Sequence, residues 1–278
     1  MNDPITVKGN PVPTIHPSAI IDKEAELDED VQIGRACVVT GRVRLGRGTR
    51  LLGSVHLQGP ASIGADNTIY PFACVGFAPQ DLKFDASSDG AGVAIGDGNI
   101  LREGVTIHRA TGEQPTTLGD RNFLMANSHI GHDVVMGHDG TLANGALLGG
   151  HVDVGDGAIV GGNAGVHQFC RVGRLSMISG VACVVQDVPP FCVVYTSRRV
   201  GSLNIIGLRR AGLRDHIGPL TQAFNLLYKQ SLSNGTAMER IESDLADDPL
   251  CVELARFVKK TRRGISPYAN SSLVGAEA

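Results

Sequence analysis

Apolar residues recur at every sixth position along most of this chain. The beat runs from Ile15 to Val75, resumes at Ile95, Leu101 and Ile107, and continues from Leu118 to Val184, twenty-six positions in all. An α-helix repeats near 3.6 residues and a strand near two, so a beat of six requires a short strand plus a turn, repeated many times. The side chain two places before the beat is small, β-branched or polar, as at Val31, Cys37, Thr49, Asn67, Asn122 and Ala146. Side chains alternate along a strand, so both positions point inward. Glycine follows the beat at Gly34, Gly46, Gly64 and eight further places, where the chain turns. Large inside, small inside, then a corner is the hexapeptide pattern of a parallel β-helix. Three hexads close a triangular coil, so residues 18 apart stack. The beats then make roughly nine coils, about 43 Å of solenoid.

Two interruptions break the beat: the gap between Val75 and Ile95, and a shorter extra segment around residues 110–117. The first is polar and rich in turn residues, with nothing to stack inside, and is expected to leave the prism as a loop over 76–94. After Val184 the beat ends at Asp187-Val188-Pro189-Pro190, where prolines cannot continue a ladder. The β-helix is therefore placed at 14–190, a C-terminal α-helical domain at 191–265 and a mobile tail at 266–278. Helices are expected near Leu203–Arg210 and Asp215–Gln230. A third should be opened by a Thr236/Glu239 capping box, and a fourth should start at Asp248-Pro249 and end near Arg263.

Composition narrows the function. The 278 residues are 42% hydrophobic and can bury a real core, with no apolar run long enough to span a membrane. The N-terminal stretch MNDPITVKGN lacks signal-peptide features, which points to the cytoplasm. A formal net charge of −3, no Trp and 4% aromatics give neither a basic stripe nor a stacking platform, which argues against nucleic acid. The six cysteines form no C-x-x-C pair, and Cys37 and Cys170 fall in the small inward slot, so neither a disulfide framework nor a zinc knuckle is expected.

Nine histidines are present, and the 18-residue coil says which of them meet. His132, His151 and His167 fall within one residue of a single column through Gly150 and Gln168, with His129 a few residues away. Asp133 follows His132, and a carboxylate on one ring nitrogen would leave the other free as a general base. His138, stacking with Asp120 and Asp156, reads as a solvated turn residue, as do His16, His56 and His216. Clustered histidines can also hold zinc with an open position for water, as in the γ-class carbonic anhydrases, which share such a solenoid. No phosphate loop and no Ser/His/Asp order is present. Direct base catalysis or a metal remain.

The motifs Gln80-Asp81-Leu82-Lys83, Val105-Thr106-Ile107-His108-Arg109, His129-Ile130-Gly131-His132-Asp133, Gly149-Gly150-His151, Val166-His167-Gln168-Phe169-Cys170 and Gln186-Asp187-Val188-Pro189-Pro190 together resemble the UDP-N-acetylglucosamine O-acyltransferase family over about residues 14–265. The resemblance implies a homotrimer of left-handed parallel β-helices with active sites between subunits. It also implies transfer of a (3R)-3-hydroxyacyl group from acyl carrier protein to the sugar 3-hydroxyl of UDP-N-acetylglucosamine, the first step of lipid A synthesis. No metal or bound cofactor is implied, because the donor arrives on the carrier's phosphopantetheine.

By the same resemblance His132 is the base, Asp133 orients it, and the Gly150 amide holds the oxyanion. Gln80, Asp81, Lys83, His129, His151, His167 and Gln168 match sugar-nucleotide positions. Asn204 and Arg210 match positions near the phosphopantetheine arm and the nucleotide phosphates, and Gly180 the position that measures acyl length. The chain departs from the family at Ala211, at the basic stretch Tyr195–Gly201 with Arg198 and Arg199, and in about seven extra residues before the first coil. Arg198, Arg199, Arg209, Arg210, Lys259, Lys260, Arg262 and Arg263 could form a positive end for an acidic carrier protein. The rival readings are the N-acyltransferase of the same pathway, a zinc hydratase and a non-catalytic scaffold. The loop motif Gln80-Asp81-Leu82-Lys83 and His129-Ile130-Gly131-His132-Asp133 favour the O-acyltransferase.

Overall fold

A computed structural model describes residues 12–269 apart from 86, 196 and 197. The extra N-terminal residues and the end of the tail lie outside the described residues.

The six-residue beat becomes strands of two to four residues that form the three faces of a prism. The first face runs in parallel from Thr14–Ile15 to Cys192–Val194, and Val200–Leu203 then closes it antiparallel. The second runs from Ile20–Ile21 to Cys183–Val184, and the third from Glu26–Leu27 to Arg171–Val172. Beat residues from Ile33 onward are buried, whereas Ile15, on the open first coil, is 43% exposed. The architecture is thus a parallel β-helix followed by helices.

Consecutive coils approach so closely at the post-beat corner that a Cβ on Gly46 would lie 2.5 Å from the backbone of Gly64. That contact explains the glycines there better than turn geometry does. Other corners adopt positive φ, where short polar residues such as Asp66, Asn127 and Asn163 are tolerated. The polar members of the small inward slot satisfy one another. Asn67 accepts from the amide and side chain of Asn99, and Asn99 accepts in the same way from Asn122, at 2.8–3.1 Å. This ladder removes the cost of burying unpaired amides and crosses both interruptions of the beat.

At those interruptions stacked partners are 32 and then 23 residues apart instead of 18. The first insertion leaves the prism after Phe77 and returns at Val93. Arg109 anchors it, donating to Gly76 O at 3.1 Å and Ser88 O at 2.9 Å.

The helices are α1 (Ile205–Arg210), α2 (Ile217–Tyr228), α3 (Asn234–Asp244) and α4 (Pro249–Lys259). Asp248 caps α4 as expected, accepting from the amides of Leu250 and Cys251, but the helix stops at Lys259, short of Arg263. The cap of α3 is Ser233, which accepts from the Thr236 amide, so the expected Thr236/Glu239 box starts three residues too late. His216 is not a solvated turn residue, since its Nδ1 lies 2.8 Å from Asp248 Oδ2 and ties the start of α2 to that of α4.

Residues 266–269, expected to belong to a mobile tail, are packed. The Ser266 amide donates to Asp187 O at 2.8 Å, Tyr268 meets Phe224 and Tyr228 at 5.9 Å, and Ala269 is buried. The helices are bound to the prism through Arg174, which donates to Glu253 at 2.8 Å, and through Arg171, whose guanidinium lies 3.9 Å from the Phe257 ring centroid. They cap an end whose strand edges would otherwise be open.

Candidate active site

The corner between the second and third faces brings together His132, Asp133 and Gly150, with a stacking different from that expected. Asp133, His151 and Phe169 occupy the positive-φ position of successive coils, with φ of 59°, 58° and 64°. His132, Gly150 and Gln168 form the neighbouring column. His151 therefore stands over Asp133, while the ring of His132 lies under Gly150. Only glycine permits this, because a Cβ on Gly150 would lie 2.6 Å from Cε1 and Nε2 of His132.

Asp133 is the hub. Its Oδ2 lies 2.6 Å from His132 Nδ1 and accepts the Thr111 hydroxyl at 2.5 Å, while Oδ1 accepts the Gly112 amide at 2.9 Å. The Thr111 amide is 3.1 Å from both oxygens. Burial alone would raise the carboxyl, but these bonds from Thr111, His132 and Gly112 outweigh it and hold Asp133 at about 2. An ionised Asp133 accepts the Nδ1 proton of His132 and leaves Nε2 with its lone pair, the state a general base requires. His151 Nε2 is 3.6 Å from the same Oδ2. Among the described residues no acceptor engages the Gly150 amide.

The open groove beside this pair, about 680 Å³, is bordered by His132, Gly150, His129, His167, Gln168 and Gln80, with Leu147, Gly165 and Cys183 extending it along the second face. His108 also borders it and escaped the sequence reading. It is 8% exposed, packs edge-on against His129 at 4.9 Å, and is pushed down to about 4 by burial and by the charges of His129 and His132. Its signal was the motif Val105-Thr106-Ile107-His108-Arg109, which contributed to the resemblance without marking this histidine.

The other expected site residues are not among those that border this groove within one chain. His151 stacks on Phe169 at 4.5 Å and borders a separate recess with Arg171, Lys260, Arg262 and Arg263. Asp81 and Lys83 stay on the ejected loop, where the Lys83 amide donates to Asp81 Oδ1 at 2.9 Å. Gly180 sits at the corner between the first and second faces, just before Cys183. Asn204 caps α1 through the Gly207 amide and donates to Leu175 O at 2.9 Å, on the corner between the third and first faces, and Arg210 ends the same helix. The one cluster of possible metal donors among the described residues is His132, Asp133 and His151, whose donor atoms lie within 4.8 Å of one another. Its carboxylate is already taken up by the donors named above, which suits a hydrogen-bond hub better than a metal ligand.

A prism of six-residue repeats, capped by helices and carrying a carboxylate-bound imidazole beside an open groove at one corner, defines a hexapeptide-repeat protein. The family model described as UDP-N-acetylglucosamine O-acyltransferase, domain 2, matches residues 187–266. An acyl-[acyl-carrier-protein]--UDP-N-acetylglucosamine O-acyltransferase of Thermodesulfovibrio yellowstonii is 42% identical, covering 90% of this chain and 98% of that protein. The enzyme of that name from Anaeromyxobacter is 40% identical over 91% and 99%. The crystal structure of the UDP-N-acetylglucosamine acyltransferase of Francisella novicida superposes with a TM-score of 0.89 at 35% identity, covering 93% of this chain and 96% of that one. The chain belongs to the UDP-N-acetylglucosamine O-acyltransferase family.

Proposed function

We propose that this protein transfers a (3R)-3-hydroxyacyl group from the thioester of acyl carrier protein to the 3-hydroxyl of UDP-N-acetylglucosamine, opening lipid A synthesis in the cytoplasm. The observation that carries the reading is the 2.6 Å contact between His132 Nδ1 and Asp133, in a groove where His132 lies against Gly150. His132 Nε2 takes the proton of the sugar hydroxyl as its oxygen attacks the thioester carbonyl. The Gly150 amide donates to the developing oxyanion. Collapse breaks the carbon–sulfur bond, and the departing thiolate recovers the proton from His132. A thioester is already activated, so a positioned base and one oxyanion donor suffice without metal, bound cofactor or covalent intermediate.

The placement of Asn204 and Arg210 at the corner between the third and first faces, away from the groove, supports a homotrimer in which a neighbouring subunit brings such residues to it. The acceptor reading is tested by assaying the purified protein with UDP-N-acetylglucosamine, its 3-amino analogue and acyl carrier thioesters. Transfer to the hydroxyl, abolished in a folded His132→Ala variant, is the expected result. Preference for the amine would make the protein an N-acyltransferase instead.

A further inference from the structure

The short insertion that breaks the beat after Ile107 holds Asp133 from both ends. At its start Thr111 donates its hydroxyl to Oδ2 at 2.5 Å and its amide to the carboxylate at 3.1 Å, with the Gly112 amide beside it at 2.9 Å. At its end the buried Thr116 accepts the Asp133 backbone amide through Oγ1 at 2.8 Å. Oδ2 has two imidazoles within reach, His132 Nδ1 at 2.6 Å and His151 Nε2 at 3.6 Å. An unrestrained carboxylate could swing between them.

We propose that Thr111 is a positioning residue for the transfer reaction: its hydroxyl fixes the rotation of Asp133 so that Oδ2 serves His132 and not His151. The Gly112 amide holds Oδ1 and the Thr111 amide lies between both oxygens, while among the described residues the Thr111 hydroxyl is the one side-chain donor that shares Oδ2 with His132. A carboxylate has about four lone-pair sites, and these donors fill them, leaving one orientation. Thr111 acts through Asp133 and does not border the groove, so its effect belongs in kcat. The inference rests on His132 being the base.

The test is steady-state kinetics of the full-length protein with acyl carrier thioester and UDP-N-acetylglucosamine, for Thr111→Val, Thr111→Ser, Asp133→Asn and the Thr111→Val/Asp133→Asn pair. Thr111→Val should lose ~10- to 100-fold in kcat, the scale of a misplaced catalytic group, with both KM values within about twofold of wild type. Thr111→Ser should restore most of the rate, and Thr111→Val should cost less than about twofold when Asp133 is already Asn. A second readout is independent of turnover. The downfield proton of the His132 Nδ1–H bond, assigned by its loss in His132→Ala, should persist in Thr111→Ser and shift in Thr111→Val. An unchanged kcat in Thr111→Val, an equal loss in the Asp133→Asn background or no rescue by serine would overturn the proposal while leaving His132 as base. Full activity of a folded His132→Ala would remove the base reading itself, and this inference with it.

Discussion

The imidazole of His132 rests directly on the backbone of Gly150, with no room between them for a single methyl group. A Cβ on Gly150 would meet Cε1 and Nε2 of the ring at 2.6 Å, so Gly150→Ala must tilt or expel the ring. The ring is held on its other side by Asp133, and a tilt breaks the alignment of Nε2 with the groove. Gly150 is not among the positive-φ positions, so the backbone tolerates alanine. Gly150→Ala should therefore lower kcat by about 10²-fold with little change in the thermal midpoint. Wild-type turnover in this variant, measured with saturating substrates, would show that the contact has no catalytic consequence.

Acid should weaken the fold through the same cluster, in two separate windows. The folded protein keeps His108 neutral down to about 4, because burial disfavours its charge and the charges of His129 and His132 add to that. The unfolded chain takes up this proton near 6.5. Between those values the unfolded state binds more protons, so stability is full above pH 6.5 and falls as pH drops towards 4. His129, lowered by burial and by His132, acts in the same direction. Asp133 has the opposite chemistry and a lower window. Its contribution is present above 3.8 and is lost as pH falls towards about 2. Denaturant unfolding from neutral pH to about pH 4.5 should show His108→Gln losing roughly 2–3 kcal/mol less than wild type. Identical losses would place the His108 imidazole in solvent.

The stack of His132, Asp133 and His151 also bears on a zinc-hydratase reading. Donor atoms within 4.8 Å could in principle close on an ion, yet Asp133 already accepts from Thr111, Gly112 and His132. A metal would have to displace charge-assisted bonds of 2.5–2.9 Å. Acyl transfer is expected to survive exhaustive chelation, and elemental analysis of the active protein to find less than one equivalent of zinc per site. Loss of activity on chelation with recovery on adding zinc would reverse the assignment.

The six-residue beat made the prism legible because each coil repeats one physical requirement, a large and a small side chain inward followed by a corner. A fixed count of 18 brought His132, Gly150 and Gln168 into one column. It also paired His138 with Asp120 and Asp156, which the structure joins through hydrogen bonds of 3.0 and 2.8 Å. The same count failed below His132, where the coil is five residues longer and the true offset is 23. That offset hid His108, which lies one coil beneath Gly131, and gave no sign that Thr111 grips Asp133. Ser233 was missed as a cap because the polar run before α3 offers several hydroxyls and only packing selects among them. Asn204 and Arg210 were legible as motif positions, but within one chain they lie at the corner between the third and first faces, away from the groove.

Above His129 the second face continues through Leu147, Gly165 and Cys183, each paired with the next, and this row offers a hydrocarbon chain a path away from the base. A Cβ on Gly165 meets nothing within 4 Å, so the floor of that path is open. Gly180 stands at its far edge, where a Cβ would touch only the Gly162 backbone, at 3.2 Å from its oxygen. Such an approach asks for a shift of a few tenths of an ångström, so Gly180→Met should fold with nearly wild-type stability. By the family resemblance Gly180 marks where the acyl chain ends, and a methionine side chain there would shorten the space left to the donor. With a ladder of acyl carrier thioesters, kcat/KM should move towards shorter donors, each lost methylene being worth about 1–3 kcal/mol, or roughly 10- to 200-fold in discrimination. An unaltered length preference would take the measuring role away from Gly180 and leave it to the Leu147, Gly165 and Cys183 row.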